Sequence, residues 1–211
     1  MERIFAVGDI HGCLDKLVSL MRTIDMDLRK DMLVFIGDYI DRGPQSKEVV
    51  EYLVNLSRQQ SSVIFLKGNH ELMLQQYLSG ADRFGFLANG GQATLDSYLK
   101  NGRHAKANLI PGTHLDFFES LRLCYETDQY IFVHAGLKPK TPLEEQDEQD
   151  MLWIRDEFIY SDFDFGKRVI FGHTPFREPL VLNNKIGIDT GAVYGNRLTC
   201  VELPAVDFYS V

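Results

Sequence analysis

Residues 4–12 read IFAVGDIHG, four apolar residues followed by a turn that contains an acid, a histidine and two glycines. A short apolar run rich in Val, Ile and Phe that ends at such a turn is typical of a strand buried on both faces. Asp9 and His11 are two positions apart, so in an extended chain their side chains point the same way. The segment therefore predicts a buried strand whose end presents a carboxylate and an imidazole together.

The same order of apolar run and polar turn recurs four more times along the chain. The runs are Met32 to Ile36, Val63 to Leu66, Ile131 to Val133 and Val169 to Phe171, and the turns that follow them are residues 37–43, 67–71, 134–136 and 172–174. Each turn combines Gly with Asp, Asn or His. Because ligands bind at the carboxyl ends of the strands in open α/β sheets, these five turns should meet at one edge.

Apolar positions repeat every 3.6 residues in two stretches between the runs and predict an amphipathic helix in each. These positions are Leu14, Leu17, Val18, Met21 and Ile24, and then Val49, Val50, Leu53 and Leu56. The alternation of strand and helix indicates βαβ units and a largely parallel sheet. Residues 80–120 indicate helices and loops with a break at Gly90-Gly91, and the segments 185–188 and 198–202 indicate antiparallel strands. We therefore expect an α/β (α+β) protein with two sheets and helices on the outside.

The composition is that of a globular protein. Of 211 residues, 45% are apolar and 25% charged, which argues against disorder and favours one domain over residues 1–211. The net charge of −8 argues against binding to a nucleic-acid polymer or an anionic membrane. The longest apolar run, Met32 to Ile36, is far shorter than the about 20 residues of a membrane span, and no signal peptide is recognisable. Three dispersed cysteines exclude a disulfide framework and a thiolate zinc site, so we expect a cytoplasmic protein.

Six residues at these strand ends are candidate metal ligands: Asp9, His11, Asp38, Asn69, His134 and His173. Carboxylate and imidazole ligands without a thiolate favour Mn, Fe or Zn over Ca or Mg. Six ligands are too many for one catalytic ion that keeps an open position, but they suit two ions that share a carboxylate. Such two-ion sites stabilise both oxygens of an in-line displacement at phosphorus. Bound divalent ions would also make an anionic substrate compatible with the negative net charge.

The ordered set of turns resembles the signature of a known family. The motifs are GDIHG (8–12), GDYIDRG (37–43), GNHE (68–71), HAG (134–136) and GHT (172–174), with IDTGA (188–192) near the end. Together they resemble the calcineurin-like metallophosphoesterases, and within these the small bacterial and phage type of phosphoprotein phosphatase. The resemblance implies a four-layer αββα sandwich of two central mixed sheets flanked by helices. It places a dimetal site at the carboxyl-terminal edge of the strands.

The resemblance also implies a role for each candidate ligand. Asp9 and His11 would hold the first metal, Asp38 would bridge both metals, and Asn69, His134 and His173 would complete the second. A water between the two cations would be the nucleophile for in-line attack. Mn²⁺ is the expected metal, with Fe, Zn, Ni or Mg as alternatives.

The resemblance assigns the remaining steps to four further residues. His70 would protonate the leaving oxygen, and Asp41 would orient the His70 ring. Arg42 would bind phosphate oxygens through its planar guanidinium, and Arg155, in the segment WIRDE, stands where a second arginine is usual. Asn69 would contribute to substrate binding as well as to metal binding. Tyr194 either lines the substrate cleft or is an ordinary turn residue.

Three functions remain open at the level of sequence. The leading one is hydrolysis of phosphomonoesters as a serine/threonine or dual-specificity protein phosphatase, with a phosphorylated protein, a peptide or a small phosphoester as substrate. The alternative is a diadenosine tetraphosphate hydrolase on the same core. Intact Asp41 and Glu71 favour the first, because the symmetrical dinucleotide hydrolases tend to carry Ala and Asp there. A remote third possibility is a non-catalytic scaffold, which usually lacks some ligands. The oligomeric state is left open.

Three further features invite interpretation. The acidic segment 144–150 is either a solvated loop and helix start or a rim that selects substrates. Cys13 adjoins the metal turn at an expected helix N-terminus, which would lower its pKa and permit redox control, or it simply packs. His104 and His114 lie outside the motifs and are taken as surface or helix-end residues.

Overall fold

The computed structural model describes residues 3–60, 62–99 and 109–211, and its strands form two five-stranded mixed sheets. The first sheet contains β1 (Ile4–Val7), β2 (Met32–Phe35), β3 (Val63–Phe65), β9 (Thr199–Leu203) and β10 (Asp207–Ser210), in the order β10-β9-β1-β2-β3. The second contains β4 (Cys124–Glu126), β5 (Tyr130–Val133), β6 (Arg168–Phe171), β7 (Leu180–Val181) and β8 (Lys185–Gly187), in the order β4-β5-β6-β8-β7.

Helices fill most of the connections between strands. They are α1 (Leu14–Thr23), α2 (Ser46–Gln59), α3 (Asn69–Ser79), the short α4 (Phe84–Phe86), α5 (Gln92–Leu99), α6 (Gly112–Glu119), α7 (Glu148–Trp153) and α8 (Asp156–Ile159). Both helices predicted from the 3.6-residue pattern are present as α1 and α2. Among the described residues, no helix is long and apolar enough to cross a membrane.

The side chains of alternate strand residues enter different layers of the core. In β1, Phe5 packs with the helices on the outer face of the first sheet, whereas Ala6 faces the space between the two sheets. In β5, Phe132 lies in that same central layer, and Val133 packs with α7 and α8 beyond the second sheet. Successive side chains of a strand point to opposite faces of the sheet, and each face here packs against an apolar layer. This explains why the strands are continuous apolar runs in the sequence. The two sheets are thus flanked by helices, as the resemblance implies.

The central strands are parallel and bring their carboxyl ends to one edge. β1, β2 and β3 are parallel neighbours in the first sheet, and β5, β6 and β8 are parallel neighbours in the second. The five polar turns noted in the sequence follow five of these six strands. A sixth polar turn, after β8, begins near Asp189.

Two expectations about the later part of the chain are confirmed, with details that the sequence did not predict. The segments 185–188 and 198–202 are antiparallel strands as expected, but they lie in different sheets. β8 pairs antiparallel with β7 in the second sheet, where it is also parallel to β6, and β9 pairs antiparallel with β1 and β10 in the first. The break expected at Gly90-Gly91 is present as a kink between two helical segments, where Asn89 and Gly90 leave the helical conformation and Gly90 adopts a φ of 97°. Residues 100–108, which include His104, lie outside the described part of the chain.

Candidate metal centre

The turns after the strands hold their polar residues in an uncommon backbone conformation. A positive φ is rare for residues other than glycine and costs energy that the surrounding structure must supply. Five residues of these turns adopt it: His11 (45°), Asp38 (53°), Asp41 (73°), Arg42 (66°) and His173 (65°). This clustering of strained residues at one edge marks the edge as the functional one.

A first group of donor atoms forms around His11, Asp38 and His70, whose ligand atoms lie within 4.8 Å of one another. Nδ1 of His11 is 2.8 Å from the carbonyl oxygen of Ile40 and must donate to it, so the lone pair of Nε2 faces the group. Nε2 lies 3.4 Å from Oδ2 of Asp38. Burial lowers the pKa of His11 to about 3, which keeps its imidazole neutral and able to bind a metal.

A second group contains Asp38, His134 and His173, again within 4.8 Å. Nδ1 of His134 donates to the carbonyl oxygen of Ile36 at 2.8 Å, which leaves the Nε2 lone pair 2.9 Å from Oδ1 of Asn69 and 3.4 Å from Oδ1 of Asp38. Three electron-pair donors therefore face one another. A cation fits between such atoms better than any protein group does.

Asp38 links the two groups because each of its carboxylate oxygens faces one of them. Oδ2 is the oxygen nearest His11, and Oδ1 is the oxygen nearest His134. Burial raises the pKa of Asp38, but the neighbouring histidines more than offset this and hold it well below its usual range. Asp38 is therefore an ionised carboxylate placed to be shared by two cations.

Asp9 lies beside the second group but in neither set of three. Its Oδ2 accepts a hydrogen bond from the backbone N–H of His173 at 3.0 Å, while its buried Oδ1 has no hydrogen-bond partner among the described residues. Burial, Asp189 and Asp38 raise the pKa of Asp9 well above its usual value. A bound divalent cation would give the unpartnered oxygen of Asp9 a ligand and would reduce the repulsion between the neighbouring carboxylates. The donor set therefore fits a pair of such ions.

His70 and Asp41 form a buried pair next to Asp38. Nδ1 of His70 is 2.6 Å from Oδ2 of Asp41, and its Nε2 is buried with no partner among the described residues, 4.0 Å from Oδ2 of Asp38. Burial lowers the pKa of His70, but the charges of Asp38 and Asp41 more than offset it, so the pKa lies above 6.5. The ring therefore points a free nitrogen, which readily carries a proton, toward the candidate metal ligands.

An arginine lies beside each group. A terminal guanidinium nitrogen of Arg42 donates to Nε2 of His11, and Nε of Arg155 donates to Nε2 of His173 at 3.1 Å. The aromatic ring of Tyr194 lies 5.6 Å from the guanidinium carbon of Arg42. Two cationic side chains are thus placed where a bound phosphate would meet both groups.

All of the residues predicted for the site come together at this edge. They are Asp9, His11, Asp38, Asp41, Arg42, Asn69, His70, His134, Arg155, His173 and Tyr194.

Three residues that support the site were not predicted as members of it. Glu71 accepts hydrogen bonds from the backbone N–H groups of Asp38 and Tyr39, at 3.0 and 2.9 Å. Burial raises the pKa of Asp189 to about 6, and this residue follows β8 as the other acids follow their strands, a signal the sequence does contain. Thr94, which is 53 positions from Asp41 in the sequence, donates to Oδ1 of Asp41 at 2.6 Å, and no local sequence pattern predicts this contact.

The structure changes the reading of three features. Burial raises the pKa of the Cys13 thiol, so the expected lowering at the helix N-terminus is wrong. His114 is at a helix end but fully buried, between Tyr98 and Glu51, and is therefore not a surface residue. In the acidic segment, Asp147 caps α7 by accepting from the backbone N–H of Gln149 at 2.6 Å, which is the helix start foreseen. A role of this segment in selecting substrates stays a prediction.

Comparison with known proteins gives one family and a consistent set of relatives. The model of the Calcineurin-like phosphoesterase family matches residues 2–201. A protein of Oceanobacillus iheyensis named bis(5'-nucleosyl)-tetraphosphatase PrpE [asymmetrical] is 28% identical, with 99% of this chain and 92% of that protein covered. A protein of Bacillus thuringiensis with the same name is 29% identical over 97% of this chain and 92% of its own length.

The solved structures agree in fold. A structure described as that of a candidate diadenosine tetraphosphatase superposes with a TM-score of 0.78 at 25% identity, covering 100% of this chain and 93% of the other. A cold-active protein-tyrosine phosphatase of a Shewanella species gives a TM-score of 0.69 at 19% identity, covering 100% and 80%. A serine/threonine phosphatase of Saccharomyces cerevisiae gives 0.67 at 17%, covering 99% and 79%. The two phosphatases, at these identities, support the fold alone.

Proposed function

The chain belongs to the calcineurin-like phosphoesterase family of hydrolases, and from that premise we propose that it is a metal-dependent hydrolase of dinucleoside tetraphosphates. The observation that carries the chemistry is the position of Asp38, with one oxygen toward each of two donor groups and an arginine beside each group. The relatives named as asymmetrical tetraphosphatases, which match over nearly their whole length, support the choice of substrate.

The metal ligands in this proposal are Asp9, His11, Asp38, Asn69, His134 and His173, with Mn²⁺ as the expected ion. When bound, two divalent cations would neutralise phosphate charge and acidify a water for in-line attack. Arg42 and Arg155, one beside each donor group, bind phosphate oxygens, and Asn69 and Tyr194 complete the substrate contacts. Phosphoryl transfer asks mainly for such positioning and charge neutralisation, and the proposal needs no covalent nucleophile from the chain.

His70 donates a proton to the leaving oxygen from its free Nε2. Asp41 accepts from Nδ1 at 2.6 Å and so fixes both the orientation and the protonation of the ring. Thr94 in turn holds the other oxygen of Asp41. A general acid of this kind matters most when the leaving group is a strong base.

Protein phosphatase activity, the leading expectation from sequence, is the second candidate. Asp41 and Glu71 favoured it only against the symmetrical dinucleotide hydrolases, whereas the relatives found here are named as asymmetrical ones. The comparison of those two positions therefore no longer counts against dinucleotides. A fully supplied donor set and a general acid also speak against a non-catalytic scaffold.

One experiment separates these functions. The Mn²⁺-loaded protein would be given diadenosine tetraphosphate, a phosphoserine peptide and a phosphotyrosine peptide, and kcat/KM measured for each with products resolved by ion-exchange chromatography. We expect the highest value for diadenosine tetraphosphate, equal amounts of ATP and AMP, and loss of activity with a chelator. A preference for either peptide would overturn the dinucleotide assignment, and formation of ADP alone would overturn asymmetrical cleavage. Inactivity with each of Mn, Fe, Zn, Ni and Mg would indicate the scaffold.

A further inference from the structure

Tyr194 is an exposed aromatic residue at the border of a buried polar site. Its relative exposure is 63%, whereas His11 and Asp38 nearby are buried. Burial of a large aromatic side chain is favourable, so an exposed aromatic ring beside a binding site can gain stability by packing against a ligand. Among the described residues, its one aromatic or cation–π partner is Arg42, at 5.6 Å.

The turn that carries Tyr194 is held in place. Residues Ala192–Tyr194 form one 3₁₀ turn between Gly191 and Gly195, which have φ values of 71° and 88°. The ammonium group of Lys16 in α1 donates to the carbonyl oxygen of Ala192 at 2.8 Å and also to that of Asn196. The ring is therefore presented from a turn fixed at both ends, which reduces the entropy lost when a ligand stacks on it.

Arg42 connects this ring to the candidate metal centre. Its guanidinium contacts His11 of the first donor group and lies over the ring of Tyr194. A phosphate bound by Arg42 would thus lie close to both the donor group and the ring. In a nucleotide the base is one sugar away from its own phosphate, so a nucleoside attached to that phosphate can reach Tyr194.

We propose that Tyr194 is the stacking platform for a nucleobase of the dinucleotide substrate, namely the base whose own phosphate Arg42 binds. This inference rests on the proposed function and adds a specificity-determining residue to it. Stacking on an aromatic face accepts every base, since each has a π-face. The expected substrate class is therefore dinucleoside tetraphosphates in general, without a preference for adenine from this contact.

The same placement determines which phosphorus is attacked. Because Arg42 contacts His11 of the first donor group, the phosphate that it binds is the one next to the candidate metal ligands, and water attacks this first phosphate after the nucleoside. A bond forms between the water oxygen and that phosphorus, and the bond from it to the bridging oxygen breaks. The bridging oxygen leaves with the nucleoside triphosphate, so diadenosine tetraphosphate and water give AMP and ATP.

The first test measures binding with ligands that differ only by the base. Calorimetry on the Mn²⁺-loaded protein gives Kd for AMP and for ribose 5-phosphate, and the ratio of the two isolates the contribution of the base. Stacking of one base predicts that Tyr194→Ala lowers this preference for AMP about 5- to 150-fold. Tyr194→Phe should keep it within about twofold, and Tyr160→Ala, a matched exposed tyrosine with 79% exposure, should match wild type.

An unchanged preference in Tyr194→Ala would overturn the inference, and so would a Tyr194→Phe variant that loses as much as Tyr194→Ala. Hydrolysis in H₂¹⁸O gives a second test that needs no variant, since the label should appear in AMP and its appearance in ATP would contradict the inferred placement. Normal cleavage of diadenosine tetraphosphate with either contrary result refutes this inference alone. Failure of wild type to cleave it refutes the proposed function and the inference together.

Discussion

Gly68 is the N-cap residue of α3 and lies directly against the shared ligand Asp38. The substitution Gly68→Ala therefore tests whether the position of Asp38 matters for metal binding and activity. Its backbone angles, φ −97° and ψ 171°, are open to any residue, so the substitution brings no backbone strain. A Cβ at this position would lie 2.2 Å from Oδ1 of Asp38 and 2.4 Å from its backbone nitrogen. Real Cβ atoms essentially never approach below 3.0 Å, so Asp38 must move.

The size of the effect follows from these distances. Asp38 has to shift by about 1 Å, and a misplacement of about 1 Å in a positioned group can lower activity about 100-fold. Inserting a methyl group into a packed site also costs about 1–3 kcal/mol of unfolding free energy, or about 2–12 °C in Tm for a chain of this length. We therefore expect a folded variant with weakened Mn²⁺ binding and strongly reduced kcat/KM.

The assay combines calorimetry of Mn²⁺ binding, kcat/KM with diadenosine tetraphosphate and thermal unfolding. Gly112→Ala is the matched control, because Gly112 begins α6 and a Cβ there meets no atom of the described residues within 4 Å. The control should match wild type in all three measurements. Wild-type Mn²⁺ affinity and kcat/KM in Gly68→Ala would refute the argument that Asp38 is a positioned, shared ligand.

Three more outcomes follow from the structure. His70→Asn should lower kcat far more for a phosphoserine peptide than for diadenosine tetraphosphate, because an alkoxide needs a proton and a nucleotide phosphate hardly does; equal losses would remove His70 as the general acid. Burial raises the pKa of the Asp31 carboxyl, but the ion pair with Arg3 at 2.6 Å more than offsets this effect, so the pKa lies below 3.8. The ion pair therefore contributes its full stabilisation of the fold at pH values above 3.8. The Tm deficit of Asp31→Asn should therefore be complete at pH 7 and shrink as the pH falls below about 3.8, and a deficit that grows in acid would contradict this sign. Lys185 is buried, and its ammonium donates to three backbone carbonyls at and just after the end of α8. Lys185→Met should therefore lower the free energy of unfolding, measured with denaturant, by about 2–4 kcal/mol. An unchanged unfolding midpoint would show that these carbonyls find other partners.

The parts of the fold that were predictable are those encoded in consecutive residues. The run IFAV is a strand with the predicted bounds, because all four residues contribute to apolar layers on the two faces of the sheet. The 3.6-residue pattern around Leu17 likewise gives α1. The pairing of β8 was not predictable, because its neighbours β6 and β7 are chosen by the stacking of whole layers and not by the local pattern.

The candidate site shows the same division. Its metal-ligand candidates lie at strand ends, within two positions of a glycine, so the local sequence shows both the type of ligand and its place in the fold. Thr94 has no such signal, since its contact with Asp41 depends on how α5 packs against the turn after β2. At Cys13 the sequence left two alternatives open, and the structure decides between them. Position at a helix start suggests a lowered pKa, but burial of the thiol acts in the other direction and wins.

The central claim is that the edge formed by these turns holds two divalent cations that share Asp38. Native mass spectrometry of the protein loaded with excess Mn²⁺ and then desalted counts them directly. The structure predicts two ions per chain for wild type and at most one for Asp38→Asn, because each oxygen of Asp38 faces a different donor group. A single ion in wild type, or two retained ions in Asp38→Asn, would contradict the account.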